Sequence, residues 1–228
     1  MTARLTLGWP DPLPFASRDG RPLRILAVSD EPDPTLDSAI TRERIGNVDL
    51  IVGAGDLEPD YLSFVADAFH APLRYIRGNH DVGGAWSHTR RALLPEPMSD
   101  GRIVEESGLR LVGFSGSPVY NDRGMQISAL GMWARVIRAS SAAQRAHPVI
   151  VLTHAPPRGM NDDSDRAHQG FRAFRWLADR VAPPLWLHGH TALVRRGMDD
   201  RCARHNGTLF YNCTGATLIE LTPPDAGG

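Results

Sequence analysis

Apolar residues are arranged along the chain in two ways. Some form short uninterrupted runs, and others recur every three or four positions. The uninterrupted runs are Arg24–Ser29, Val48–Gly53, Pro72–Arg77, Val149–Thr153 and Leu185–His188. Their length and lack of a polar face predict strands covered on both sides. The periodic segments predict helices over 36–46, 58–69, 127–140 and 165–181. In 58–69, apolar residues at 61, 62, 64, 65, 68 and 69 make one helical face, and Pro59 suits a first turn. Residues 102–106 and 109–114 read as a hairpin joined by Ser107-Gly108, and 113–124 as a Gly/Ser/Asn-rich loop. Roughly the last 35 residues read as antiparallel strands turning at Asn206-Gly207. Strands alternating with helices predict an α/β fold. Pro10, Pro12, Pro14 and Pro22 make residues 1–22 a Pro-rich N-terminal arm without independent structure, followed by a single domain over 23–223 and a short tail over 224–228.

The strand ends carry the chemistry. Each buried run stops at Asp, Asn or His: Asp30, Asp56, Asn79-His80, His154 and His190. In open α/β sheets, ligands bind beyond the carboxyl ends of the strands. One Asp after one strand is an ordinary turn or cap residue. Five such endings, in order and expected at one sheet edge, point instead to a divalent cation held by oxygen and imidazole.

Composition narrows the chemistry further. All 25 basic residues are Arg, because the chain has no Lys. That excludes a Walker A phosphate loop, a Schiff-base lysine and a lysine general base. With 26 acidic residues the net charge is −1, which disfavours a whole-surface nucleic-acid binder. Cys202 and Cys213 are too few for a disulfide framework and lack zinc spacing. The first 20 residues contain no apolar run, so neither a signal peptide nor a membrane span is expected, and a cytoplasmic location is the default.

The ordered blocks Ser29-Asp30-Glu31-Pro32, Gly55-Asp56, Gly78-Asn79-His80-Asp81, Thr153-His154 and Gly189-His190-Thr191-Ala192 resemble those of the calcineurin-like metallophosphoesterases. Tyr211–Gly215 resembles that family's closing turn. Thr153–Arg158 and Gly170–Phe174 look like a bacterial and archaeal branch of it. The resemblance implies a four-layer αββα sandwich of two mixed β-sheets flanked by helices, with metals at one edge. It implies phosphoester hydrolysis, of diesters or monoesters, by metal-activated hydroxide. The cofactor would be a divalent ion, Mn2+ first, with Fe, Zn, Ni, Co or Mg as alternatives.

Carried over by position, Asp56 would bridge two metals, and Asn79, His154 and His190 would complete one site. Asp30 and Asp56 would serve the other. The family's two remaining histidines fall here at Pro32 and Ala192, which have no ligand atom, so a second metal would be weak or absent. Glu31, Asp33, His188 and His205 are the nearby candidates to fill the gap. His80 would protonate the leaving oxygen or bind the phosphate, with Asp81 orienting the imidazole or its loop. Arg77 and Arg158 would grip the phosphate of a small phosphoester substrate, and the loop Gly116–Asn121 would border the pocket. The competing readings are a catalytically impaired phosphate- or nucleotide-binding module or scaffold on the same fold and, third, a nuclease. No membrane partner is expected, and oligomeric state is not legible.

Overall fold

The computed structural model describes residues 2–192 and 201–224. Residues 225–228 of the expected tail, and residues 193–200 of the segment read as terminal strands, lie outside the described residues. The strands are β1 (Ala3–Gly8), β2 (Leu23–Ser29), β3 (Leu50–Gly53), β4 (Leu73–Tyr75), β5 (Ile103–Glu106), β6 (Leu109–Phe114), β7 (Ser117–Pro118), β8 (Gln126–Ile127), β9 (Ile150–Thr153), β10 (Leu185–His188), β11 (Cys202–His205), β12 (Thr208–Asn212) and β13 (Gly215–Thr222). The helices are α1 (Ala39–Ile45), α2 (Pro59–Phe69), α3 (His88–Arg91), α4 (Ala129–Arg145) and α5 (Arg172–Val181).

Two large sheets form. One has the order β1-β13-β2-β3-β4 and the other β11-β12-β10-β9-β6-β5. Strands β2, β3 and β4 run parallel, as do β6, β9, β10 and β12, with β5 and β11 antiparallel at the edges of the second sheet. Alternate residues of each strand face opposite layers. Ile25, Ala27, Leu111, Ile150, Leu152, Leu185 and Leu187 fill the space between the sheets. Leu26, Val28 and Ile51 pack outward against Ile45 of α1 and Leu62 and Val65 of α2. Val112, Val151 and Trp186 pack outward against Val136 of α4 and Phe174 and Leu177 of α5. The result is a mixed α/β fold with two mixed sheets flanked by helices, in which covered strands explain the unbroken apolar runs.

Two expectations change. Residues 1–22 are not a loose arm: β1 pairs in parallel with β13 from Ala3–Thr217 to Gly8–Thr222, and Trp9 is buried in the inter-sheet core. Alternation of Ala3, Leu5 and Leu7 supports that strand, while the prolines begin only after it. Helix α5 begins at Arg172 rather than near 165. Asp165 explains the delay, since its carboxylate accepts bonds from the backbone of Ala167 and His168 and holds 165–170 as a loop. Cys202 is exposed, and Cys213 is a buried free thiol.

Candidate metal centre

The parallel strands β2, β3, β4, β9 and β10 deliver their following residues to one edge of the two packed sheets. Asp30, Asp56 and His190 take left-handed backbone conformations there, with φ of 59°, 55° and 68°. Such angles are uncommon for residues with a Cβ, and they turn each side chain back over the strand ends. Close approach depends on glycine at two points. A Cβ on Gly78 would collide with the Asp56 side chain, and one on Gly189 with Ser29 and Asp30.

His154 is fully buried at the middle. Its Nδ1 lies 2.8 Å from the Ala54 carbonyl, which can only accept, so Nδ1 carries a proton and Nε2 faces the cluster. Around Nε2 stand Asn79 Oδ1 at 3.0 Å, Asp56 Oδ2 at 3.2 Å and His190 Nδ1 at 3.2 Å. His190 is fixed the same way: its Nε2–H donates to the Ala167 carbonyl at 2.7 Å, leaving Nδ1 for the centre. The Asn79 amide is oriented by Tyr120, whose hydroxyl accepts from Nδ2 at 3.0 Å. Three atoms bearing lone pairs, two oxygens and a nitrogen, therefore converge on the His154 nitrogen, and a cation satisfies all of them. Oxygen atoms of Asp30 and Asp56 and a ring nitrogen of His154 lie within 4.8 Å of one another, a group that could hold a metal ion.

The protonation chemistry agrees. Burial opposes charge on His154, but Asp56, Asp30 and the Ala54 carbonyl outweigh it and lift its pKa to about 9. Burial and the neighbouring His154 push His190 down to about 3. Burial pushes Asp56 up, yet His154 and the His80 amide together hold it below the ordinary carboxylate value. Without a metal, a proton on His154 supplies the positive charge that this donor set demands.

The Asp30 side differs. Its carboxylate accepts from the Ser29 hydroxyl at 2.6 Å, the Thr214 hydroxyl at 3.3 Å and the His190 amide at 3.0 Å to each oxygen. Burial raises its pKa. Ala192 is exposed and Pro32 brings no donor atom. None of the other candidates joins the converging group among the described residues. Asp33 caps a short turn through Thr35, and Glu31 is exposed. His188 is buried with Nδ1 on the Gly189 carbonyl. His205 bonds Asp179 at 2.6 Å on the surface.

Beside the cluster, the His80 ring is three-quarters exposed, with Nε2 4.0 Å from Asp56 Oδ2, while its backbone N–H donates to Asp56 Oδ1 at 2.7 Å. Asp81 does not orient that ring. Its carboxylate instead accepts from the backbone of Gly78 at 2.6 Å and Asp56 at 2.9 Å, clamping two ligand-bearing turns together. Desolvation raises its pKa to about 6, against those two amides. The Arg77 guanidinium donates to the Asp81 carbonyl and lies 5.0 Å over the Trp86 ring. Arg158 sits on the neighbouring loop, 3.6 Å from Asp162. Backbone partners such as Ala54 and Ala167 leave no trace in a sequence, because any residue supplies a carbonyl. Tyr120 lay within the loop expected to border the pocket. His168, 5.3 Å from the His190 ring, carried no signal.

The calcineurin-like phosphoesterase family model matches residues 23–193. No curated protein matches the chain in sequence. Among solved structures, TT1561 of Thermus thermophilus is similar over 85% of this chain and 90% of its own, with a TM-score of 0.56 at 15% identity. A dimetal phosphatase from Danio rerio is similar over 90% of this chain and 88% of its own, with a TM-score of 0.52 at 12% identity. At such identities these likenesses speak for the fold alone. No helix among the described residues is long and apolar enough to cross a membrane.

Proposed function

Since the chain belongs to the calcineurin-like phosphoesterase family, we propose that it is a metal-dependent phosphoester hydrolase built on one complete cation site, with Mn2+ as the first candidate. The observation carrying this reading is the convergence of Asp56, Asn79 and His190 on the Nε2 of His154. A divalent cation held there would lower the pKa of a water and offset charge on the phosphoryl oxygens. The protein's own part is positional. Ala54 and Ala167 carbonyls set which nitrogen each histidine presents, Tyr120 turns the Asn79 oxygen inward, and Asp81 locks the turns of Asp56 and Gly78 together. His80 stands at the open side, where its Nε2 would pass a proton to the leaving oxygen. Asn79 adds a ligand without negative charge, which keeps the site receptive to phosphate.

Pro32, Ala192 and the protein-satisfied Asp30 carboxylate support a single tightly held ion. They equally favour a second reading, a phosphate-binding module with residual chemistry, because one ion loses the clamp on both attacking and leaving oxygens. Elemental analysis together with hydrolysis of bis(p-nitrophenyl) phosphate in Mn2+ separates the two. The hydrolase reading expects about one ion per chain, and a fall in kcat of about 10²–10⁴ for His80→Ala with the ion retained. Absent turnover in the metal-loaded protein leaves only the binding reading, and turnover unchanged in His80→Ala removes the role given to His80.

A further inference from the structure

A cavity of about 520 Å³ opens between the loop that carries Tyr120 and the loop that carries Ala167. That size suits a small organic ligand. Its walls adjoin, along the chain, two residues that brace the metal centre. Pro118 and Val119 line it, and the next residue, Tyr120, bonds Asn79. Arg166 lines it, and the next residue, Ala167, bonds His190. At each place consecutive residues of one loop line the cavity and brace the metal centre.

The lining has a definite chemistry. Arg158, Arg166 and Arg172 contribute three guanidinium groups, and no carboxylate lines the cavity among the described residues. Arg166 and Arg172 form no ion pair with any described residue. Asp162, 3.6 Å from Arg158, is occupied by the amides of Gly159 at 2.9 Å and Gly170 at 3.0 Å. Val119, 48% exposed, and Trp133, which leans on Trp176 at 5.6 Å, also line it. Arginines such as Arg166 and Arg172 recognise phosphate by paired hydrogen bonds, and a flat indole face accepts a planar ring.

We infer that this cavity is a substrate subsite for a nucleotide-class phosphoester, one that carries a planar base and a second phosphate in addition to the phosphate at the metal centre. The second phosphate lies among Arg158, Arg166 and Arg172, and the base lies against Trp133. This rests on the phosphoester reading above and gives it a substrate class. It also gives the chain's arginines a local role that its near-zero net charge conceals.

The test is calorimetric binding to the full-length protein loaded with Mn2+. Its probes are adenosine 3′,5′-bisphosphate, adenosine 5′-monophosphate and a sugar bisphosphate. Adenosine bisphosphate should bind at least about tenfold tighter than the monophosphate, the gain of one or more charge-assisted hydrogen bonds. Arg166→Gln with Arg172→Gln should shrink that ratio to within about threefold. Trp133→Leu should weaken both adenosine ligands about fivefold or more while sparing the sugar bisphosphate. A wild-type ratio near one, or a ratio unchanged in the arginine variant, overturns the inference. Selective binding without hydrolysis of bis(p-nitrophenyl) phosphate would remove the hydrolase reading alone. Hydrolysis without selectivity would remove the subsite alone.

Discussion

The two halves of the centre are built from similar residues at similar strand ends, yet they solve opposite problems. Around His154, atoms with lone pairs face one another at 3.0–3.2 Å, and the donors that could have satisfied them are turned away to Ala54, Ala167 and Tyr120. Around Asp30, two hydroxyls and an amide point at the carboxylate and satisfy it within the protein. The first arrangement is costly without a cation, and the second is not. A residue at a ligand position is therefore a poor guide by itself. What its lone pairs face decides whether it still demands an ion.

That contrast is broken most directly at the ligands. His154→Ala or Asp56→Asn should reduce affinity for Mn2+ by more than about 100-fold, beyond the loss typical of outer partners. Asp30→Asn should cost less than about tenfold. Equal losses at Asp30 and Asp56, read by equilibrium dialysis, would show that the halves are equivalent.

The next effect is protonic. With His154 raised to about 9 from 6.5, an arriving metal ion must displace its proton. Metal affinity should therefore rise about tenfold per pH unit between about 6.5 and 9 and then flatten. The metal-free protein should do the reverse. A base whose pKa is raised on folding stabilises fully below its unfolded value, here 6.5, and that contribution fades as pH climbs through about 9. Melting curves of metal-free and Mn2+-loaded protein across this window should diverge as pH rises. Parallel curves would mean that His154 is not the group being displaced.

The five strand endings were legible because a covered strand must be apolar and its first polar residue marks the edge where ligands gather. Pro32 and Ala192 were legible as gaps for the same reason. Side-chain direction was not. Asp81 and Arg77 stand in a motif suggesting chemistry, but their atoms turn inward to backbone amides and carbonyls, and only three-dimensional packing decides that. Strand β1 escaped because its partner β13 lies at the far end of the chain, so no local turn announces the pairing. Helix α5 starts late because Asp165 spends its carboxylate on neighbouring amides, a local competition that helical periodicity cannot register.

Two milder substitutions sharpen the comparison without removing a ligand. Tyr120→Phe deletes the hydroxyl that holds Asn79 Nδ2, so the amide loses its fixed sense while every ligand atom remains. Affinity for Mn2+ should fall about 10-fold, at the low end for an outer partner, and Asn79→Ala made on top should cost less than it does in the wild type. Additive losses would show that Tyr120 acts elsewhere.

Thr214→Val is the smallest change and addresses the other half. It removes the weakest of the donors on Asp30, the hydroxyl at 3.3 Å, and leaves Ser29 and the His190 amide in place. Losing one such bond costs about 1 kcal/mol of stability. Mn2+ affinity at the His154 side should stay within about threefold, because that carboxylate is not among the atoms closing on His154 Nε2. Asp30 Oδ2 would then accept from two donors instead of three, so a second, weaker ion should become detectable at high Mn2+ if donor satisfaction is what excludes it. A stoichiometry that stays at one ion under those conditions would place the exclusion instead in the missing side chains at Pro32 and Ala192.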